Sequence, residues 1–350
     1  MQPGAINDID ILRLRGAFLT FYQREARDLP WRHTKDPYSI WVSEIMLQQT
    51  QVDTVRPRYP QFLRQFPSVE ILAKATPEQV CEAWAGLGYY RRARNLHRAA
   101  QQLVSHHGGT LPADTNSLEK LPGIGRYTAG AIASIAFGKP APVVDGNVAR
   151  VLSRIWAIDD PLSSGPGKKR LWNLATMLAN GNNPGDLNQA LMEVGALVCT
   201  PTTPACERCP ARAECQAHAM GKPAAFPVAE QGRPRQQLDV AFAWTRTRRG
   251  IWLVQRPLNG LWAGQWELPS AEGPAARRDL AHRLERKLGV CIAEVAHQLT
   301  HRDVTARVYA LPQLPRFQSR SGIRQYADPF VAPLSGLAKK AIQAALKSPC

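Results

Sequence analysis

The stretch LPGIGRYTAG, Leu121 to Gly130, followed by an aspartate in VVDGNVAR (Asp145), holds residue types at a spacing that can do chemistry. A Pro-Gly-Ile-Gly turn between two apolar, helix-like stretches leaves backbone N–H groups around Gly123 and Gly125 free beside a helix start, a cradle suited to a phosphate oxygen. Asp145 then stands just beyond a grip on nucleic acid. Position 127 decides what it can do, because a lysine there would offer an amine nucleophile and the phenol of Tyr127 cannot form a Schiff base. A second carboxyl, Glu44, lies inside WVSEIMLQQTQV among Trp41, Ile45, Met46 and Leu47. Apolar neighbours make a carboxyl hold its proton more tightly, which a general acid working near neutral pH requires. Each acid also has a plain structural reading: Glu44 as a first-turn glutamate complementing a helix dipole, Asp145 as the N-cap of the helix that follows it. For Asp145 the two readings are compatible.

Four of the seven cysteines, Cys199, Cys206, Cys209 and Cys215, stand as C-x6-C-x2-C-x5-C, whereas Cys81, Cys291 and Cys350 stand alone. Four thiolates that close together can wrap a tetrahedral zinc or a 4Fe-4S cube, and the spacing favours the cube, because a four-cysteine zinc site usually pairs two C-x2-C knuckles and only one is present. A secreted disulfide framework fits the clustering least.

Placing these groups requires helices first and a different architecture after them. Apolar spacing is mostly helical from about residue 7 to 220, with segments at 8 to 24, 39 to 52, 68 to 85, 127 to 137, 146 to 157 and 187 to 198 and a stripe of Leu96, Ala99, Ala100, Leu103 and Val104. The Pro-rich, polar stretch 222 to 237 reads as a linker. Beyond it DVAFAWTRTR and GIWLVQRP flank an Arg249-Gly250 turn, then come a helical ARRDLAHRLERKLG and two further strands, the pattern of a small α/β domain. A chain of 350 residues accommodates two such domains. Its formal charge of +16 favours a polyanion as partner. No apolar run is long enough to cross a membrane, and the first residues lack the order of a signal peptide, so a soluble, intracellular, cytoplasmic protein is expected.

WVSEIMLQQTQV, GLGYYRRARNLH, LPGIGRYTAG, VVDGNVARVLSR, LNQALMEVGALVCT and the four cysteines together resemble the MutY adenine DNA glycosylases of the endonuclease III superfamily, densely over residues 20 to 220. The resemblance implies a multidomain α and α+β fold: an all-α helix-hairpin-helix glycosylase region over 1–221, a linker over 222–236 and a Nudix-like α/β domain over 237–350. Within the first region it implies a six-helix barrel at about 30–140 and an iron-sulfur cluster domain from 1–29 plus 141–221. The implied substrate is double-stranded DNA carrying adenine opposite 8-oxoguanine or guanine, bound by a monomer with a 4Fe-4S cluster on the four cysteines.

The family's roles fall on matching positions here. Glu44 matches the acid that protonates adenine N7, and Asp145 the carboxylate that stabilises the sugar cation or bonds to it. Tyr127 and Asn147 match residues that hydrogen-bond around that aspartate, and Arg27 an arginine beside the sugar. Arg32 and Gln189 fall where the extruded adenine's edge is read, Gln49 and Tyr89 where residues wedge into the stack near 8-oxoguanine. Strand-cutting members carry lysine at position 127, so Tyr127 implies base removal alone. In the C-terminal region HRLERKLG puts His282, Arg283, Arg286 and Lys287 where Nudix hydrolases hold a metal through glutamates, which argues against pyrophosphate hydrolysis. Leu299-Thr300-His301 occupies the place of the Phe-Ser-His motif that recognises 8-oxoguanine, keeping Thr300 and His301 as candidate contacts. The competing readings are an endonuclease III-like glycosylase and lyase acting on oxidised pyrimidines, a non-catalytic iron-sulfur mismatch-binding protein, and a Nudix nucleotide hydrolase.

Overall fold

The computed structural model describes residues 10–228, 234–257, 260–299, 301–312 and 322–348. The chain divides into two compact units, Met1–Ala83 with Arg92–Gln231, and Trp84–Arg91 with Gly232–Cys350.

The helices up to residue 220 are α1 (Ile11–Glu25), α2 (Pro37–Leu47), α3 (Val52–Val55), α4 (Arg58–Gln65), α5 (Val69–Lys74), α6 (Pro77–Ala83), α7 (Arg91–His107), α8 (Thr115–Glu119), α9 (Arg126–Ile135), α10 (Gly146–Ile155), α11 (Gly165–Ala179), α12 (Pro184–Leu197) and α13 (Gln216–Ala219). Their starts are chemically marked. Asp10, Asp36, Asp114, Asp145 and Ser164 each accept a backbone N–H of the first turn through the side chain, the groups a helix cannot satisfy by itself. Two of the expected helices are divided. The segment 68 to 85 breaks before Pro77, which lacks an N–H and so begins a new helix. The segment 39 to 52 ends at Leu47, where the Arg92 guanidinium takes up the carbonyls of Ile45, Met46 and Gln48.

One apolar core joins α1, α10, α11 and α12 through Leu14, Phe18, Val151, Leu152, Leu174, Leu178, Leu191 and Val194, all essentially without solvent contact. Truncating any of these leucines to alanine would cost about 2–5 kcal/mol. A smaller cluster of Ile40, Ala131, Ile135 and Val143 seats α2 on α9, with Tyr127 and Met192 against it. Close approach here depends on Gly130, where a Cβ would lie 2.2 Å from the Pro142 carbonyl oxygen. The extended 141–143 segment, which has no regular secondary structure, therefore runs directly against α9 and delivers Asp145 beyond it.

The second unit contains β1 (Gln236–Trp244), β2 (Arg246–Thr247), β3 (Gly250–Gln255), β4 (Trp266–Glu267), β5 (Ser270–Glu272), α14 (Ala276–Leu284), β6 (Cys291–Gln298), β7 (Arg302–Ala310), β8 (Ile323–Tyr326) and α15 (Gly336–Lys347). One sheet runs β5-β1-β7-β6, with β1 and β7 parallel; the other runs β2-β3-β4, with β8 paired to β3. Side chains alternate across β1 as strand geometry demands. Val240, Phe242 and Trp244 meet Leu337, Ala341 and Ile342 of α15, while Ala241 and Ala243 meet Leu280 and Leu284 of α14. The expected hairpin about Arg249-Gly250 is short: only β2 returns on β3, while β1 belongs to the other sheet.

Candidate active site

Glu44 is the eighth residue of α2, on the face packed towards α9, and is 5% exposed. It is not in the first turn, so the helix-dipole reading of this residue does not apply. Its Oε2 is buried without a hydrogen-bond partner among the described residues. Burial is the main reason its pKa is pushed up to about 7; the Tyr127 hydroxyl beside it opposes the shift, the Asp145 carboxylate adds to it and Arg32 opposes it.

Asp145 caps α10 and uses both oxygens, Oδ1 accepting from the Val148 N–H at 2.7 Å and Oδ2 from Asn147 Nδ2 at 3.1 Å. Burial raises its pKa, and those two donors together with Arg150 hold it back. The cap and the chemical candidate are one residue, as its sequence context allowed. Asn147 is itself fixed on its far side, since its Oδ1 accepts from Arg150 Nη2 at 2.9 Å.

Tyr127, in the first turn of α9, donates its hydroxyl to Met192 Sδ at 3.3 Å and not to Asp145. A thioether is a weak acceptor, so the hydroxyl is free to turn to Glu44 once that carboxyl ionises. Burial, then the nearby Glu44 and Asp145, keep the phenol protonated far above neutral pH. The structure thus groups two carboxyls and a phenol from α2, α9 and the cap of α10.

Glu193, which no adjacent residue marks in the sequence, organises the other side. Glu193 on α12 is fully buried and accepts a fork from Arg27, Nε at 2.8 Å and Nη2 at 2.9 Å, and a second from Arg32, Nη1 at 3.2 Å and Nη2 at 2.7 Å. Burial alone would raise its pKa; the bonds from Arg27 and Arg32 overcome this and hold it at about 2. Two guanidiniums are thereby locked in place by one carboxylate. The available signal was the spacing: Glu193 follows Gln189 by four residues, one turn along the same helix face. Gln189 is 8% exposed and makes no side-chain hydrogen bond within the described residues, leaving its amide free for an incoming edge.

The hairpin is α8, the turn 121–125 and α9. Gly123 takes φ +82°, and a Cβ there would strike Asn95 Cβ at 2.7 Å, so only glycine fits. Gly125 caps α9 with no side chain to occupy the first N–H groups, and the space over it is open.

The four cysteines line one small cavity of about 20 Å³, with Val151, Ile155, Arg154 and Arg212 also in its wall. Among the described residues no three His, Cys, Asp or Glu side chains form a ready-made site for a metal ion. Four thiols around one cavity fit a metal centre held by sulfur. The donor set suits an anionic one: Arg154 approaches Cys199 Sγ at 3.3 Å and also holds the carbonyls of Thr200 and Pro201, and Arg150 holds that of Cys199. Arg150 and Arg154 lie one turn apart on α10, so the helix capped by Asp145 also anchors the cysteine loop.

Gln49 is exposed in the first unit, at φ +54°, and Tyr89, at φ +46° and 57% exposed, lies in the Trp84–Arg91 segment. His301 is exposed and its carbonyl accepts from Gln236 N; Thr300 lies outside the described residues. Arg283 donates to the Ser270 carbonyl at 2.7 Å, and Glu267 and Glu272 are both tied to Arg256, at 2.9 and 2.5 Å. These two glutamates are thus engaged by a cation.

Comparison with known proteins agrees with this architecture. Residues 42–175 match the family described as HhH-GPD superfamily base excision DNA repair protein, and residues 240–345 match the NUDIX domain. The adenine DNA glycosylase of Homo sapiens is 38% identical over 367 residues, spanning 86% of this chain and 67% of that protein. That of Mus musculus is 37% identical over 380 residues, spanning 90% and 74%. A solved thermostable thymine-DNA glycosylase aligns with a TM-score of 0.55 and 32% identity, over 60% of this chain and 97% of that one. Fold and site therefore define a helix-hairpin-helix DNA glycosylase with a Nudix-like C-terminal domain. Within that class the chain belongs to the adenine DNA glycosylase family.

Proposed function

We propose that the protein is a base-excision-repair enzyme that removes adenine paired with 8-oxoguanine or guanine in duplex DNA by hydrolysis and leaves an abasic site. The observation that carries this reading is the pairing of a buried, proton-holding Glu44 with a hydrogen-bonded Asp145 around Tyr127. Cleaving the bond between C1′ and adenine N9 puts positive charge on the sugar and negative charge on the base, so it needs one acid and one carboxylate. Glu44 gives its proton to adenine N7, and the C1′–N9 electron pair leaves on a neutral base. Asp145, aimed by Val148 N–H and Asn147, stabilises the cation at C1′ or bonds to it. Water then completes C1′ and returns a proton to Glu44.

Arg32 and Gln189 read the extruded base, where a free amide suits the adenine edge. Arg27 holds the sugar side, positioned through Glu193. Gly123 and Gly125 present N–H groups to a phosphate. Gln49 and Tyr89 act at the stack near the opposite base, and Thr300 and His301 on 8-oxoguanine itself, within a C-terminal domain at 237–350 joined through 222–236. Cys199, Cys206, Cys209 and Cys215 would hold a 4Fe-4S cluster, which supplies a rigid anionic brace for the loop 200–205 beside α10. We take the protein to act as a cytoplasmic monomer; among the described residues no helix is long and apolar enough to cross a membrane.

Tyr127 is incompatible with Schiff-base chemistry. Borohydride added during turnover on an adenine:8-oxoguanine duplex should trap no stoichiometric enzyme–DNA adduct. A trapped adduct in proportion to enzyme would overturn the hydrolytic reading in favour of a lyase.

A further inference from the structure

Arg126 is the first residue of α9, directly after the open hairpin turn, and its guanidinium carbon lies 3.7 Å from the ring centroid of Trp172 on α11. Trp172 is half-buried and Arg126 exposed, so the indole is a fixed platform and the guanidinium rests on it facing solvent. Side chains of a helix lean towards its N-terminus, so the Trp172 ring covers the preceding turn of α11. That turn carries Lys168 and Lys169, four and three residues before Trp172, both exposed. Neither lysine pairs with a carboxylate among the described residues, and the neighbouring Arg170 is the one that meets Asp159, at 3.5 Å. Three cations thus gather next to the N-terminal ends of two helices, α9 and α11, where the helix dipole also disfavours positive charge. Such an arrangement favours an anion running past it.

We propose that Arg126, held flat on Trp172, forms with Lys168 and Lys169 a strip that contacts DNA phosphates and extends the hairpin's grip along one strand onto α11. This rests on the reading that the hairpin binds DNA. The strip offers charge and no base-reading geometry, so it contributes equally to any duplex sequence.

The test is equilibrium binding of the full chain to a fluorescent duplex with an adenine:8-oxoguanine pair and to a fully paired duplex, titrated over salt. Each phosphate neutralised contributes about 0.9 to the slope of log Kobs against log salt, so the Lys168→Ala/Lys169→Ala variant should lower that slope by about 2 and Arg126→Ala by about 1. Both losses should be the same on the two duplexes, with an unaltered thermal melt. Trp172→Leu keeps the charges and should weaken affinity on both duplexes alike. A slope unchanged in the lysine variant, or a loss seen on the mispaired duplex alone, would overturn the strip and leave the hairpin reading standing. A wild-type chain with no salt-dependent duplex binding would overturn both.

Discussion

Replacing Glu44 by glutamine keeps the shape of the side chain and removes its charge, so stability and activity should respond in opposite directions. The carboxyl is 5% exposed and its pKa rises from 4.5 to about 7 on folding. The folded state therefore binds this proton more tightly than the unfolded chain does. That preference stabilises the fold fully below pH 4.5 and is lost as pH rises through 7. Raising the pKa from 4.5 to about 7 is worth about 3 kcal/mol. Glu44→Gln carries no charge to bury. Relative to wild type it should gain about 3 kcal/mol between pH 4.5 and pH 9, seen as a rise of roughly 6–12 °C in the difference between their melting temperatures. Single-turnover excision should fall by about 10²–10⁴ in the variant, and the wild-type rate should drop about tenfold per pH unit above 7. Thermal melts at several pH values and a rapid-quench rate profile measure both. A stability difference that does not change with pH, or a wild-type rate flat from pH 6 to 9, would refute the burial argument for Glu44.

Two further perturbations separate positioning from chemistry. Asp145→Asn keeps a good helix cap on α10 while removing the carboxylate, so the variant should fold, bind the mispaired duplex in a gel-shift assay and lose nearly all excision; rapid excision would remove Asp145 from the mechanism. Glu193→Gln strips the counter-charge from Arg27 and Arg32 together, at a cost of about 3–5 kcal/mol by denaturant titration. Because the Glu193 pKa is held at about 2, the ion pairs should stabilise the wild type fully above pH 4.5 and lose that contribution progressively as pH falls from 4.5 to 2, so a wild type that has already lost it at pH 6 would contradict the geometry.

What could be read ahead of the fold was local. Glu44 among large apolar residues, Asp145 before a helix and the glycines of the hairpin each announce their surroundings within a few positions, and the structure places all of them in matching environments. The features that escaped are joined through space. Glu193 meets Arg27 and Arg32 across 166 and 161 residues, and nothing adjacent to it marks a buried acid. Arg92 ends α2 from the next long helix, so the stop after Leu47 carries no Gly or Pro of its own. Helix α11 opens with Gly165-Pro166-Gly167, residues that read as a turn until Ser164 caps them and Leu171, Leu174 and Leu178 enter the core. In the C-terminal unit β1 left the expected hairpin because its alternating faces are covered by two different helices, a choice set by packing and not by turn chemistry.

Glu44 and Asp145 are proposed to remove adenine without cutting the strand, and one assay decides it. The full chain is incubated with end-labelled duplexes containing adenine opposite 8-oxoguanine, adenine opposite guanine, or thymine glycol, and products are resolved with and without alkali. Free adenine is expected from the first two duplexes, strand breaks only after alkali, and no reaction on thymine glycol. Strand breaks without alkali, or cleavage at thymine glycol in place of adenine release, would contradict it.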